Sequence, residues 1–218
     1  MPVITISREY GSGGVQIARN ICELLGYSYF DKNLMVSVAT EMGVSEEDVV
    51  DISEDTYQMR TFMDRLFGRG RVRSEVRSAE AGEGTDIRVE VLNEEQSISL
   101  IRDTVCAAYE RDNVVIVGRG GQAILREKPG VLHVRLNAPL GARAMRVKER
   151  EDIPLSEATQ LTQNKDSAAA AYLQRFFDID WEHPMLYHIT LNTGRWELPD
   201  AAQIIIDALT HLRQVTNI

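Results

Sequence analysis

The chemistry in this chain concentrates near its start, where Gly11-Ser12-Gly13-Gly14 follows Val3-Ile4-Thr5-Ile6-Ser7 and Arg8. Glycines without a Cβ let successive backbone N–H groups converge on an anion, and a helix N-terminus behind them adds partial positive charge. Phosphate is the anion such loops hold. The common form, G-x-x-x-x-G-K-[ST], places a lysine and a magnesium-binding hydroxyl after the last glycine. Here Gly14 stands where the lysine would be, followed by Val15 and Gln16. Both diagnostic side chains are missing. The nearest cation is Arg8, which either takes over the lysine's role or pairs with Glu9 or another nearby carboxylate.

Further charged groups recur where strands are expected to end. Arg119 lies in Gly118-Arg119-Gly120-Gly121, directly after the apolar run Val114-Val115-Ile116-Val117. Asp31 follows Tyr29-Phe30, and Arg143, Arg146, Lys148 and Arg150 cluster on one helical stretch. Each has a structural alternative. Asp31 could cap a helix, and Arg119 could tie the strand rim to an acidic neighbour. The clustered arginines could form a solvated face with local pairs such as Arg146 with Glu149 at i,i+3. Metal-ligand spacing is absent, and no metal-binding residue is identified. Cys22 and Cys106 sit in apolar helical patterns without CxxC or Cys/His spacing, and read as buried thiols of a reduced, intracellular protein.

The elements that position these groups alternate. A strand over residues 3–7 leads into a helix over 14–25, whose Ile17, Ala18, Ile21, Cys22 and Leu25 share one face, with Gly26 as its stop. A short strand at 27–30 precedes helices expected from Asp31, from Ser45 and over 55–66. Residues 68–86, with glycines at 68, 70, 82 and 84 and arginines at 69, 71, 73 and 77, read as a mobile or inserted segment. A helix over 93–111, the strand 114–117, a helix over 122–126 and a strand over 131–136 come next. Helices over 139–150 and 155–177, a strand over 187–191 and a helix over 198–215 complete the pattern. Strands alternating with helices predict an α/β fold with a central parallel sheet covered by helices on both faces. Ligands of such sheets lie beyond the C-terminal ends of the strands, which gathers Arg8–Gly14, Asp31, Arg119 and Asn137 on one rim.

At 218 residues, 44% hydrophobic and 26% charged, the sequence suits one substantial domain. Its net charge of -9 argues against a broad nucleic-acid surface. No apolar run approaches the roughly 18–20 residues that span a bilayer, and the chain starts directly with a strand and shows no signal peptide. A cytoplasmic location is expected.

Together, Ile4 to Gly14, Tyr29-Phe30-Asp31-Lys32, Val115 to Gly120, and Trp181 with Tyr187 and Leu191-Asn192-Thr193 resemble the cytidylate kinase-like branch of the nucleoside monophosphate kinases. The resemblance covers almost the whole chain, with the middle matching least. It implies a three-layer P-loop kinase fold and transfer of the ATP γ-phosphoryl group, with Mg²⁺, to CMP, dCMP or a related monophosphate. It makes Gly11, Ser12, Gly13 and Gly14 the donor-phosphate loop, and it sets Asp31 and Arg119 beside the acceptor. Residues 146–170 become a lid, with Arg146 and Arg150 joining Arg8 as catalytic cations. ATP and a small nucleotide are the implied partners, and a homo-oligomer is compatible with it. One departure matters. Where the family pattern reads D-x-x-R-x-x-Y, this chain keeps Asp166 and Tyr172 but has Ala169. With two cations gone, a non-catalytic nucleotide- or phosphate-binding regulatory protein is the alternative, and a kinase for another small phosphorylated or hydroxylated acceptor is a third reading.

Overall fold

The computed structural model describes residues 2–30 and 94–212, with Glu94–Ser97 in backbone only. Asp31, the helices expected between 31 and 66, the 68–86 segment and residues 213–218 lie outside the described residues; the C-terminal helix, expected to run to 215, ends at Thr210 with His211 as its C-cap.

Five parallel strands form one sheet in the order β2-β3-β1-β4-β5. They are β1 (Val3–Arg8), β2 (Ser28–Phe30), β3 (Val114–Val117), β4 (Val131–Asn137) and β5 (Ile189–Asn192). The central strand β1 pairs with β3 through Ile4–Val115 to Ile6–Val117, and with β4 from Val3–Val131 to Arg8–Leu136. A strand enclosed on both sides and both faces must be apolar nearly throughout, and Val3 to Ser7 are all buried.

Alternate residues of β1 enter two separate cores. On one face Ile4 and Ile6 pack with Ile17, Ala18 and Ile21 of α1 (Gly14–Leu25) and with Ala201, Ala202, Ile205 and Leu209 of α6 (Leu198–Thr210). On the other, Val3 packs with Ile101 and Val105 of α2 (Glu94–Glu110) and with Ala169, Tyr172 and Leu173 of α5 (Leu155–Phe177). The short α3 (Gly121–Ile124) follows β3, and α4 (Leu140–Glu151) follows β4. This is the three-layer α/β arrangement that strand–helix alternation predicts. The helices at 14–25 and 155–177 end where the sequence placed them. Gly26 closes α1 in the left-handed region at φ 68°.

Three local expectations need correction. The helix expected over 122–126 starts at Gly121 and stops at Ile124. β5 begins at Ile189 rather than Tyr187, because His183-Pro184 opens a 3-10 turn over Pro184–Leu186 first. Cys22 and Cys106 are only partly buried, and burial together with Glu23 pushes the Cys22 thiol up to about 11, away from reactivity. Trp181 and Tyr187 are packing residues. The Arg135 guanidinium carbon lies 4.5 Å from the centre of the Trp181 ring and 5.7 Å from that of Tyr187, and Arg135 donates to the Trp181 carbonyl at 2.9 Å. Among the described residues no helix is long and apolar enough to cross a membrane.

Candidate functional site

The loops at the C-terminal ends of β1, β3, β4 and β5 meet on one rim, and the glycine loop is its centre. Gly11 and Gly13 both take positive φ, 79° and 83°. Neither position has room for a side chain. A Cβ on Gly11 would lie 2.7 Å from the Arg143 carbonyl oxygen, and one on Gly13 would lie 2.6 Å from Leu198 Cδ2. The loop is thus held between the start of α4 and the start of α6, with backbone where side chains would otherwise stand. Ser12 is fully buried, and its Oγ has no partner among the described residues.

The stem of Arg8 lies against Gly14. A Cβ there would be 3.0 Å from Arg8 Cγ and 3.1 Å from Arg8 Cβ. The missing lysine and the nearby arginine are therefore linked: a side chain at position 14 competes with Arg8 for the same space. Glu9 is committed elsewhere, accepting from the Ala138 N–H at 3.0 Å and facing Arg143 Nε at 3.1 Å.

Of the clustered arginines, Arg143 has a structural task. It is 6% exposed. Its Nη1 donates to Asp166 at 2.6 Å and to the Tyr10 carbonyl at 3.0 Å, and its Nε donates to the Ala138 carbonyl at 2.8 Å. Asp166 Oδ1 in turn accepts from the Tyr10 N–H at 2.8 Å. This closed set of charge-assisted bonds fixes the loop after β1 to α4 and α5.

Arg146 reaches the donor loop itself. It donates to the Thr193 carbonyl at 2.7 Å and to the Gly11 carbonyl at 3.4 Å, while the Thr193 hydroxyl donates to the Ser12 carbonyl at 2.7 Å. Arg150 is half-exposed, donates to the Tyr10 hydroxyl at 2.6 Å and pairs with Glu151 at 2.8 Å. The Arg146–Glu149 pair of the solvated-face alternative is not among these contacts. Beside Arg146 opens a cleft of about 610 Å³ lined by Thr193, Arg195, Trp196, Glu197 and Leu198, with Trp196 48% exposed.

Across the rim, β3 ends in three consecutive left-handed residues: Gly118 at φ 70°, Arg119 at 56° and Gly120 at 69°. Gly120 is obligatory, since a Cβ there would meet the Phe177 ring at 2.6 Å. Arg119 is a branch point of strain and charge. A non-glycine residue held at positive φ costs of order 1 kcal/mol, and its Nη1 is buried with no partner among the described residues. A guanidinium nitrogen kept dry without an acceptor is ready for an incoming anion.

The structure thus gathers Arg8, Gly11–Gly14, Arg119 and Arg146 on the rim and gives Arg143 to the scaffold, while Asp31 lies outside the described residues. Glu9, Tyr10 and Asp166 were not singled out as the braces of the loop by sequence reasoning. Tyr10 and Asp166 are 156 positions apart, and no local pattern reports such a contact. Ala169 is 2% exposed in the core beside Tyr172 and Leu173.

A sequence profile of the cytidylate kinase-like family matches residues 3–195. The cytidylate kinase of Thermococcus sibiricus is 28% identical over 212 residues, covering 96% of this chain and 89% of its own. An uncharacterised protein of Eubacterium ventriosum aligns in structure over 97% of this chain and 100% of its own, with a TM-score of 0.64 at 20% identity. The shikimate kinase of Acinetobacter baumannii, solved in complex with shikimate, covers 97% of this chain and 94% of its own with a TM-score of 0.50 at 15% identity. The two structural likenesses are likenesses of fold alone, the three-layer α/β arrangement.

Proposed function

The chain belongs to the cytidylate kinase-like family, and on that premise we propose that it transfers the γ-phosphoryl group of ATP to a nucleoside monophosphate, with CMP or dCMP as the acceptor. The observation that carries this reading is the Arg119 Nη1, buried and without a partner among the described residues, on the same rim as a side-chain-free glycine cradle. One provides for an acceptor phosphate, the other for donor phosphates.

Phosphoryl transfer requires alignment of two phosphates and neutralisation of charge, with little covalent chemistry from the protein. The N–H groups of Gly11 to Gly14 bind the donor phosphates, with Arg8 standing in for the lysine. Arg146 fixes the loop's shape through Gly11 and Thr193 and adds positive charge beside it. The cleft with Trp196 and Leu198 receives the donor base, the exposed indole offering a stacking face. Arg119 and Asp31 hold the acceptor, and Arg150 closes over the transferring group from the end of α4. ATP would be bound as its Mg²⁺ complex, the ion supplying charge neutralisation on the donor phosphates. Among the described residues no group of three His, Cys, Asp or Glu side chains gathers to hold a metal, so no protein ligand is assigned to it.

The test is a phosphotransfer screen of the purified protein with ATP–Mg²⁺ against CMP, dCMP, UMP and AMP. Transfer to the cytidine nucleotides in preference to the others is expected. Binding of ATP and CMP without transfer to any acceptor would replace the kinase reading with that of a nucleotide-binding regulator.

A further inference from the structure

Gln122 stands three residues after Arg119, in the first turn of α3, and it is 1% exposed. Neither its Oε1 nor its Nε2 has a hydrogen-bond partner among the described residues. A carboxamide buried with both ends unmet is a poor choice for a core position, where leucine or methionine would fill similar volume without the desolvation penalty. Other buried polar side chains do find partners. Thr5 is bonded to His133, and Arg135 to the Trp181 carbonyl.

Gln122 therefore shares its condition with Arg119: both carry buried polar atoms without partners among the described residues, Arg119 in the turn that ends β3 and Gln122 in the first turn of the helix that follows. Their chemistries differ in a useful way. A guanidinium suits a phosphate. A carboxamide offers one donor and one acceptor side by side, the complement of a nucleobase edge such as cytosine N4–H with N3. Phosphate and base of a nucleotide are separated by a single ribose, a span that two long side chains three residues apart can bracket.

We propose that Gln122 is a specificity residue that reads the base edge of the acceptor. The proposal rests on the acceptor-site reading of Arg119 given above. It makes the acceptor a nucleotide rather than a sugar or other base-free hydroxyl compound, a distinction that the glycine loop and Arg119 do not make.

Equilibrium binding tests it without requiring turnover. CMP and ribose 5-phosphate are titrated calorimetrically into wild type, Gln122→Leu and Gln122→Met, and the ligand-free Tm of each is measured. Removing the orphaned amide raises the ligand-free Tm, while CMP affinity falls at least about tenfold and ribose 5-phosphate affinity stays within about twofold. The wild-type preference for CMP then collapses. Undiminished CMP affinity in either folded variant overturns the proposal, as does an equal loss for both ligands. If wild type binds neither ligand, the acceptor-site reading itself fails, an outcome separate from wild type and variants binding CMP alike.

Discussion

At the scale of single residues, the two departures from the family's patterns both sit in crowded surroundings. Arg8 runs across position 14, where only 3.0 Å would separate its Cγ from a new Cβ. Ala169 lies in the core. The first contact yields a prediction that separates stability from function. Gly14 opens α1 without positive φ, so Gly14→Ala meets no backbone strain and gains up to about 1 kcal/mol of helix propensity. The methyl group nevertheless displaces the Arg8 stem. Phosphotransfer should fall about tenfold or more, as expected for a misplaced catalytic group, while urea denaturation shows stability unchanged within about 1 kcal/mol. Full activity in Gly14→Ala would remove Arg8 from the donor site. The glycines, Arg8 and Arg119 were legible in the sequence because residue type and adjacency to an apolar run are local signals. The coupling between Arg8 and Gly14 was not, since it depends on the direction of one side chain.

The elements were legible to within a few residues wherever periodicity was strong. α1 and α5 declare themselves by amphipathic spacing and by clear stops, and β3 by four consecutive β-branched residues. β5 was misjudged at its start because Tyr187 has strand propensity, yet here its hydroxyl is drawn inward to donate to the Trp181 carbonyl at 2.6 Å. Tertiary contact decided what propensity could not. The same lesson applies to α4, whose basic residues look alike in sequence but divide between scaffold and site. Arg143 and Asp166 link α4, α5 and the loop after β1, with side chains 8% and 19% exposed. Removing Asp166 leaves Arg143 with Glu9 as its remaining carboxylate, so the cost is that of lost hydrogen bonds to a charged group, about 2 kcal/mol. Asp166→Ala is expected to lower unfolding free energy by about that amount in chemical denaturation and to raise the KM for ATP, because the Tyr10 N–H and Arg143 lose their common acceptor. An unaltered denaturation midpoint would show that this network does not brace the loop.

At the scale of the whole molecule, stability should depend on pH through a pair of stacked histidines away from the rim. His133 and His188 lie with ring centres 5.1 Å apart. His188 Nδ1 accepts from the His133 N–H at 2.9 Å, and His133 Nδ1 bonds the Thr5 hydroxyl at 2.7 Å. Burial, reinforced by His188, pushes His133 down to about 4 from its ordinary value of 6.5, and burial lowers His188 as well. Between those values the unfolded chain binds more protons than the folded one. The contribution is therefore intact above pH 6.5 and lost as the pH falls toward 4, by on the order of 3 kcal/mol for His133. Urea unfolding at pH 7.5 and pH 5 should show a marked loss of stability in wild type and a smaller one in His133→Gln; equal losses would contradict the assignment. Fold class follows from the alternation of elements across the whole chain, which is why it could be read without a structure, whereas the division of labour among cations required the sheet order that brings β1, β3 and β5 to one rim. The claim that this rim is a phosphotransfer site is tested most directly by CMP-dependent formation of ADP from ATP–Mg²⁺ in wild type and Arg119→Ala. Steady turnover in wild type, with kcat/KM for CMP about 100-fold lower in the variant and the KM for ATP unchanged, is the predicted result. No CMP-dependent ADP in wild type, or equal kcat/KM in the two proteins, would contradict it.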